Sequence, residues 1–179
     1  MSRRAPRSSQ DIPSAQNFSP AEIELPRLLE LVHANSGNRK ALSEAIRVEF
    51  YADRSIPTKG QGTVWQNVTT GMVRYGVIND QADPTDLGKE LHKIRKDDQR
   101  LYRTFAKHLL LHVSGVVLIE CLLDMHRAGE IATLPSIREA LEERGVHTST
   151  AGKSISLLRA WLAKAGLLVS VRSSIGSNA

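Results

Sequence analysis

The chain has 179 residues, 41% of them hydrophobic but only 4% aromatic, and a formal net charge of +5. That apolar content suffices for one ordinary domain or two small ones, and the basic balance favours a polyanionic partner. Cys121 is the only cysteine, which excludes a disulfide framework and a cysteine-based zinc site within one chain and makes a cytoplasmic location the expectation.

Residues 1–20 are rich in Ser, Arg, Pro and Gln and read as a disordered basic tail carrying Arg3, Arg4 and Arg7. No apolar core follows the opening MSRRAPRSSQ, so it is not expected to be a signal peptide. Ser19-Pro20-Ala21-Glu22 has the residue order of a helix start, with Ser as N-cap and Pro in the first turn. That helix should reach about Asn35, with Pro26 as a kink or restart, and Ser36-Gly37 should end it. Asn38 caps a second predicted helix, Arg39 to about Tyr51, whose apolar side is Leu42, Ala45, Ile46 and Phe50. A polar loop over 52–62 leads to a third helix, Thr63–Tyr75, and then to the apolar Gly76-Val77-Ile78.

A turn-like stretch, Asn79–Pro84, returns to Thr85-Asp86-Leu87-Gly88-Lys89-Glu90-Leu91. Three helices, an apolar pair and a loop back to a Thr-x-x-Gly-x-x-Leu helix start resemble the winged helix-turn-helix proteins, many of which close their wing with a Leu-Thr-x-x-Gly-x-x-Leu segment. Pro84 stands where that leucine belongs, so the second wing strand is expected to be short or absent. The resemblance implies DNA binding through the third helix. It also implies a place either in transcriptional regulation or as the DNA-recognition subunit of a restriction or antiviral defence complex whose catalytic subunits are separate chains.

Lys89–Arg100 is charged and reads as a surface linker helix. From Asp98 to Arg127 one long helix is predicted, about 45 Å if unbroken at 1.5 Å per residue. Its middle, Leu109–Leu123, is apolar nearly all round, so it is either the central post between two units or a seam for a homodimer or larger complex. Interrupted by His112 and Glu120, it is too short to cross a bilayer, and no membrane partner is expected. Thr133-Leu134-Pro135-Ser136 opens a helix through Arg144, and Thr148–Thr150 lead into another. In that last helix Ile155, Leu158, Leu162 and Ala165 form one apolar stripe. Val169-Ser170-Val171 reads as a wing strand and 173–179 as a flexible C-terminus.

The third helix and the last one overlay without gaps. Gly62 falls on Gly152, Trp65 on Ile155, Val68 on Leu158, Met72 on Leu162, Gly76 on Gly166, and Val77-Ile78 on Leu167-Leu168. The polar positions pair as Thr63 with Lys153, Gln66 with Ser156, Thr69 with Arg159, Thr70 with Ala160 and Arg74 with Lys164. The expected fold is therefore mainly α. It has two tandem winged-helix units, each three helices plus a short β-wing, over residues 21–97 and 98–172, joined by the long apolar helix.

Enzymatic motifs are not evident. His108 and His112 have the i, i+4 spacing of a helical metal pair, but Leu109 stands where a zinc protease needs glutamate and no third ligand follows. The clusters Asp83/Asp86/Glu90 and Glu139/Glu142/Glu143 read as capping and surface residues. Gly152-Lys153-Ser154 is not a phosphate loop, because His147 stands at the position of the first glycine. No catalytic residue, metal or cofactor is expected.

The functional candidates lie on the two matched helices. Lys153, Ser156, Arg159 and Lys164 form a basic outer face without a carboxylate, suited to a phosphate backbone and the base edges of double-stranded DNA. Thr148, Ser149 and Thr150 would meet phosphates at the helix start. In the first unit, Thr63, Gln66, Asn67, Thr70 and Arg74, with Thr69 beside them, are the corresponding set. Residues 101–179 hold nine Lys/Arg against six Asp/Glu and residues 21–100 twelve of each, so the second unit is the expected DNA binder. A protein-interaction scaffold is the other class the pattern allows, with the first unit touching protein instead of DNA.

Overall fold

The computed structural model describes residues 11–52, 61–148 and 152–168, with the side chains of residues 61–63 left out. The described chain is mainly helical, with eight helices: α1 (Leu25–Ala34), α2 (Arg39–Tyr51), α3 (Gln61–Arg74), α4 (Asp86–Ile94), α5 (Asp98–His112), α6 (Gly115–Arg127), α7 (Leu134–Glu143) and α8 (Lys153–Lys164). Their starts follow from capping chemistry. The side chains of Asn38, Thr85, Asp97 and Thr133 each accept a backbone N–H of the first turn. Pro26 lies in the first turn of α1, so it starts that helix rather than kinking it, and 20–22 form a turn.

No β-strand occurs among the described residues, so the expected short wing is not seen as a sheet. Only two isolated bridges occur there, Ile78 with Pro84 antiparallel and Ile12 with Thr148 parallel. Pro84 lacks the N–H that a longer ladder would need. The first bridge is held by Thr85, whose hydroxyl donates to Gly76 O at 2.6 Å and accepts from Gly88 N at 3.1 Å. A Cβ on Gly88 would run into the Val77 carbonyl, which is why the Thr-x-x-Gly spacing carries glycine. The strand expected at Val169–Val171 and the C-terminus at 173–179 lie outside the described residues.

The predicted 98–127 helix is broken. α5 and α6 meet at 86°, with Ser114 in the left-handed region at φ 55°. Gly115 sits so close to α5 that a Cβ there would lie 2.7 Å from Leu109 O. The bend resolves the all-round apolar pattern: Leu101, Phe105 and Leu109 bury on one arm, Leu118, Cys121 and Met125 on the other. α5 then packs on α4, α6 and α8, and α6 on α7. Leu111, Val116 and Leu123 remain exposed. Among the described residues no single helix is long and apolar enough to cross a membrane.

The expected disordered tail differs from what is observed over its second half. Residues 11–19 form an ordered strap, with Ile12 and Phe18 fully buried and Ala15 nearly so. Phe18 is the centre of an aromatic cluster with Tyr75 of the α3 C-terminus, Phe105 of α5 and Trp161 of α8, at ring-centroid distances of 5.6, 6.1 and 5.1 Å. Half of the chain's eight Phe, Tyr and Trp residues meet there. Elements from both predicted units contribute to one continuous buried core, and His108 of α5 donates from Nε2 to Tyr75 O at 3.0 Å across them.

Candidate nucleic-acid interface

α8 begins at Gly152, which takes φ 77° and offers no side chain to the first-turn amides. A β-carbon there would be strained in that conformation and would press on Leu134 at 3.1 Å. Of the predicted stripe, Ile155, Leu158 and Leu162 are fully buried and Ala165 is half-buried, and Trp161 and Leu157 widen it. Trp161 reaches inward and donates from Nε1 to Phe18 O at 2.9 Å. That leaves Lys153, Ser156 and Lys164 exposed, with Arg159, Ala160 and Ala163 half-buried.

The electrostatic setting of these cations differs from that of the seven paired ones among the described residues. Arg27, Arg47, Lys89, Arg95, Arg127, Arg138 and Arg144 each pair with a carboxylate within 4 Å. Arg27, beside Glu30 and Glu49, holds both carboxyls below their ordinary range. Lys153, Arg159 and Lys164 form no ion pair among the described residues. Lys164 instead stands over the Tyr102 ring, 5.2 Å from its centroid, and shares a shallow depression with Gln99 and Arg103 of α5 and with Asp98. Unpaired charge on a helix without acids favours an external anion, since no internal partner must be displaced.

Thr148 is placed differently from the expectation. Its hydroxyl is buried and has no hydrogen-bond partner among the described residues, because Ile12 bridges alongside it and donates to His147 O at 3.2 Å. Ser149 and Thr150 lie outside the described residues.

On α3 the outer face is partly covered by the strap. Asn67 donates to Asn17 Oδ1 at 3.2 Å, Arg74 donates to Ser14 O, and a Cβ on Gly71 would lie 2.5 Å from that of Phe18. Thr69 is 1% exposed and donates to Trp65 O, so it faces inward. Gln66 is exposed, and half-buried Thr70 accepts from Arg39 at 3.4 Å. The Thr63 side chain lies outside the described residues.

The structure adds residues that sequence reasoning missed. Gln16, Asn17 and Ser19 of the strap line a shallow depression of about 400 Å³ with Lys153, Ser156 and Ala160. Helical periodicity carries no information about a segment that is neither helix nor strand, and the only signal was the apolar spacing of Ile12, Ala15 and Phe18. Arg39 and Arg103 also border the two faces. His108 and His112 have ring centroids 4.9 Å apart, and His108 is committed to Tyr75 O. Among the described residues no group of three or more His, Cys, Asp or Glu is arranged to hold a metal.

No family model, curated protein or solved structure matches the chain.

Proposed function

We propose that the protein binds double-stranded DNA without catalysing a reaction, using two tandem units of winged helix-turn-helix type, with α8 as the principal recognition helix and α3 as its weaker counterpart. The observation that carries this reading is the acid-free outer face of α8, where Lys153, Arg159 and Lys164 stand without carboxylate partners. In each unit a short helix leads into the candidate reader, α2 into α3 and α7 into α8, and each pair is in contact, as a helix-turn-helix requires. Both readers end in the same way. Val77 N donates to Met72 O and Leu167 N to Leu162 O, around Gly76 and Gly166 in the left-handed region.

Bound this way, Lys153, Ser156 and Arg159 lie in or along a major groove and Lys164 on the flanking backbone. Few phosphates are neutralised, so affinity is modest and strongly dependent on salt. A cytoplasmic role in transcription regulation or as the recognition subunit of a defence complex fits such a module. As a scaffold or homodimer, the protein would rely on Leu111, Val116 and Leu123, the exposed remainder of the apolar stretch.

The test is the double variant Lys153→Ala, Arg159→Ala in a mobility-shift titration against duplex DNA. Affinity should fall by roughly tenfold or more, and the log–log salt slope should become shallower by about 2, with the melting temperature unchanged. Equal binding by variant and wild type would remove the proposal.

A further inference from the structure

We propose that the strap is itself a reading element, and that Gln16 contacts base edges of the same duplex as α8. This rests on the DNA-binding reading above and extends it to a segment outside both helix-turn-helix units. Between the buried anchors Ile12 and Phe18, the strap crosses from the approach to α8 to the outer face of α3. Ile12 is tied to His147 O, Ser14 O to Arg74, Asn17 to Asn67, and Phe18 O to Trp161. Each tie lands on one of the two proposed reading helices or on the loop before α8. The two faces are therefore joined by a single layer of chain.

Gln16 is the exposed residue in this run, flanked by buried Ala15 and half-buried Asn17. Its backbone is held by its neighbours: Ala15 lies against Gly71, where an added Cβ would be 3.2 Å from the alanine's, and Asn17 is pinned in the left-handed region at φ 65°. So fixed a stem leaves only the glutamine's own rotamers to be ordered on binding. Around it the depression offers Lys153, Ser156, Asn17 and Ser19, with no carboxylate among its lining residues. The glutamine amide both donates and accepts, which suits the paired donor and acceptor of an adenine edge. Being uncharged, it adds nothing to counterion release, so its contribution is separable from that of Lys153.

The experiment selects preferred duplexes from a randomised pool with the full-length wild-type protein. It then titrates wild type, Gln16→Ala and Lys153→Ala against the selected duplex and an unrelated one, over a range of salt. Gln16→Ala should lose about five- to twentyfold on the selected duplex and little on the unrelated one. Its salt slope and melting temperature should match wild type, with base preference relaxed at one or two adjacent positions. Lys153→Ala should weaken both duplexes and flatten the salt slope. Retained affinity and preference in Gln16→Ala, or an equal loss on every duplex, would overturn the strap's reading role while leaving the α8 reading intact if Lys153→Ala still weakens binding. A wild type that binds neither duplex would overturn both.

Discussion

α3 and α8 align in sequence without gaps and end in the same left-handed glycine cap, yet their outer faces differ. At the position where α3 has Gly71, α8 has Trp161, ninety residues on in the register that aligns their caps. Gly71 has no side chain because Phe18 and Ala15 of the strap lie directly against it. Trp161 is large and reaches the same Phe18 from the other side. The strap thus covers one helix and is gripped by the other, leaving α8 open and basic and α3 partly capped. Two helices with matching sequence patterns are made unequal by nine residues outside either one.

Removing the grip should have the largest effect on that asymmetry. Phe18→Ala deletes a fully buried ring at the junction of α3, α5 and α8, and should cost about 3–5 kcal/mol of stability in denaturant unfolding. Trp161 fluorescence should shift toward that of a solvated indole. A loss below about 1 kcal/mol would show that the strap is not what fixes the two helices.

The matched cations offer a sharper contrast. Arg74 is spent on Ser14 O, so Arg74→Ala should lower stability by about 1 kcal/mol and leave duplex affinity unchanged. Lys164→Ala should do the reverse, lowering affinity by a few-fold with an unchanged melting temperature. Affinity loss in Arg74→Ala comparable to that in Lys164→Ala would mean that both faces are open.

The smallest expected effect concerns pH and the contact that joins α5 to the end of α3. Burial lowers the pKa of His108 below its ordinary 6.5, neighbouring His112 adds to this, and the bond to Tyr75 O opposes it. His92 is lowered in the same direction, by burial first and then by Arg95 and His33, against Glu30. A folded-state pKa below the unfolded one means that the unfolded chain takes up protons first. Stability should therefore be complete above pH 6.5 and decline as pH falls from there through the folded values. His108→Gln, which retains a donor for Tyr75 O, should make the melting-temperature slope between pH 6.5 and 5 shallower than in wild type. The carboxylates paired with Arg27 do not interfere in that window. Their lowered values stabilise the fold above 4.5 and lose that contribution only as pH falls further. An unchanged slope would remove His108 as the source.

Much of the helical order is legible in the residues. Asn38, Thr133 and Gly166 mark boundaries because capping is chemistry within a single turn, and the Ile155–Leu158–Leu162 stripe is set by periods of three and four. Three features were not legible. The apolar run 109–123 looks the same whether it is one buried post or two arms, since composition does not record the 86° bend at Ser114–Gly115. Thr69 and Thr148 read as surface hydroxyls because a helical wheel or a turn motif does not say what packs against it. Ile12, Ala15 and Phe18 sit among Ser, Pro and Gln, whose average polarity hides three apolar anchors.

By itself, the sequence determined the mainly helical class, most of the helix boundaries and the acid-free basic face of α8. Each depends on residues within a turn or two of one another. The tertiary structure alone decided which of the two helix faces stays open and where the central run bends. It also decided that Ile12, Ala15 and Phe18 belong to the core. Those outcomes depend on contacts between segments far apart in the chain, such as Phe18 with Trp161 and Ile12 with His147, whose energies no local pattern records.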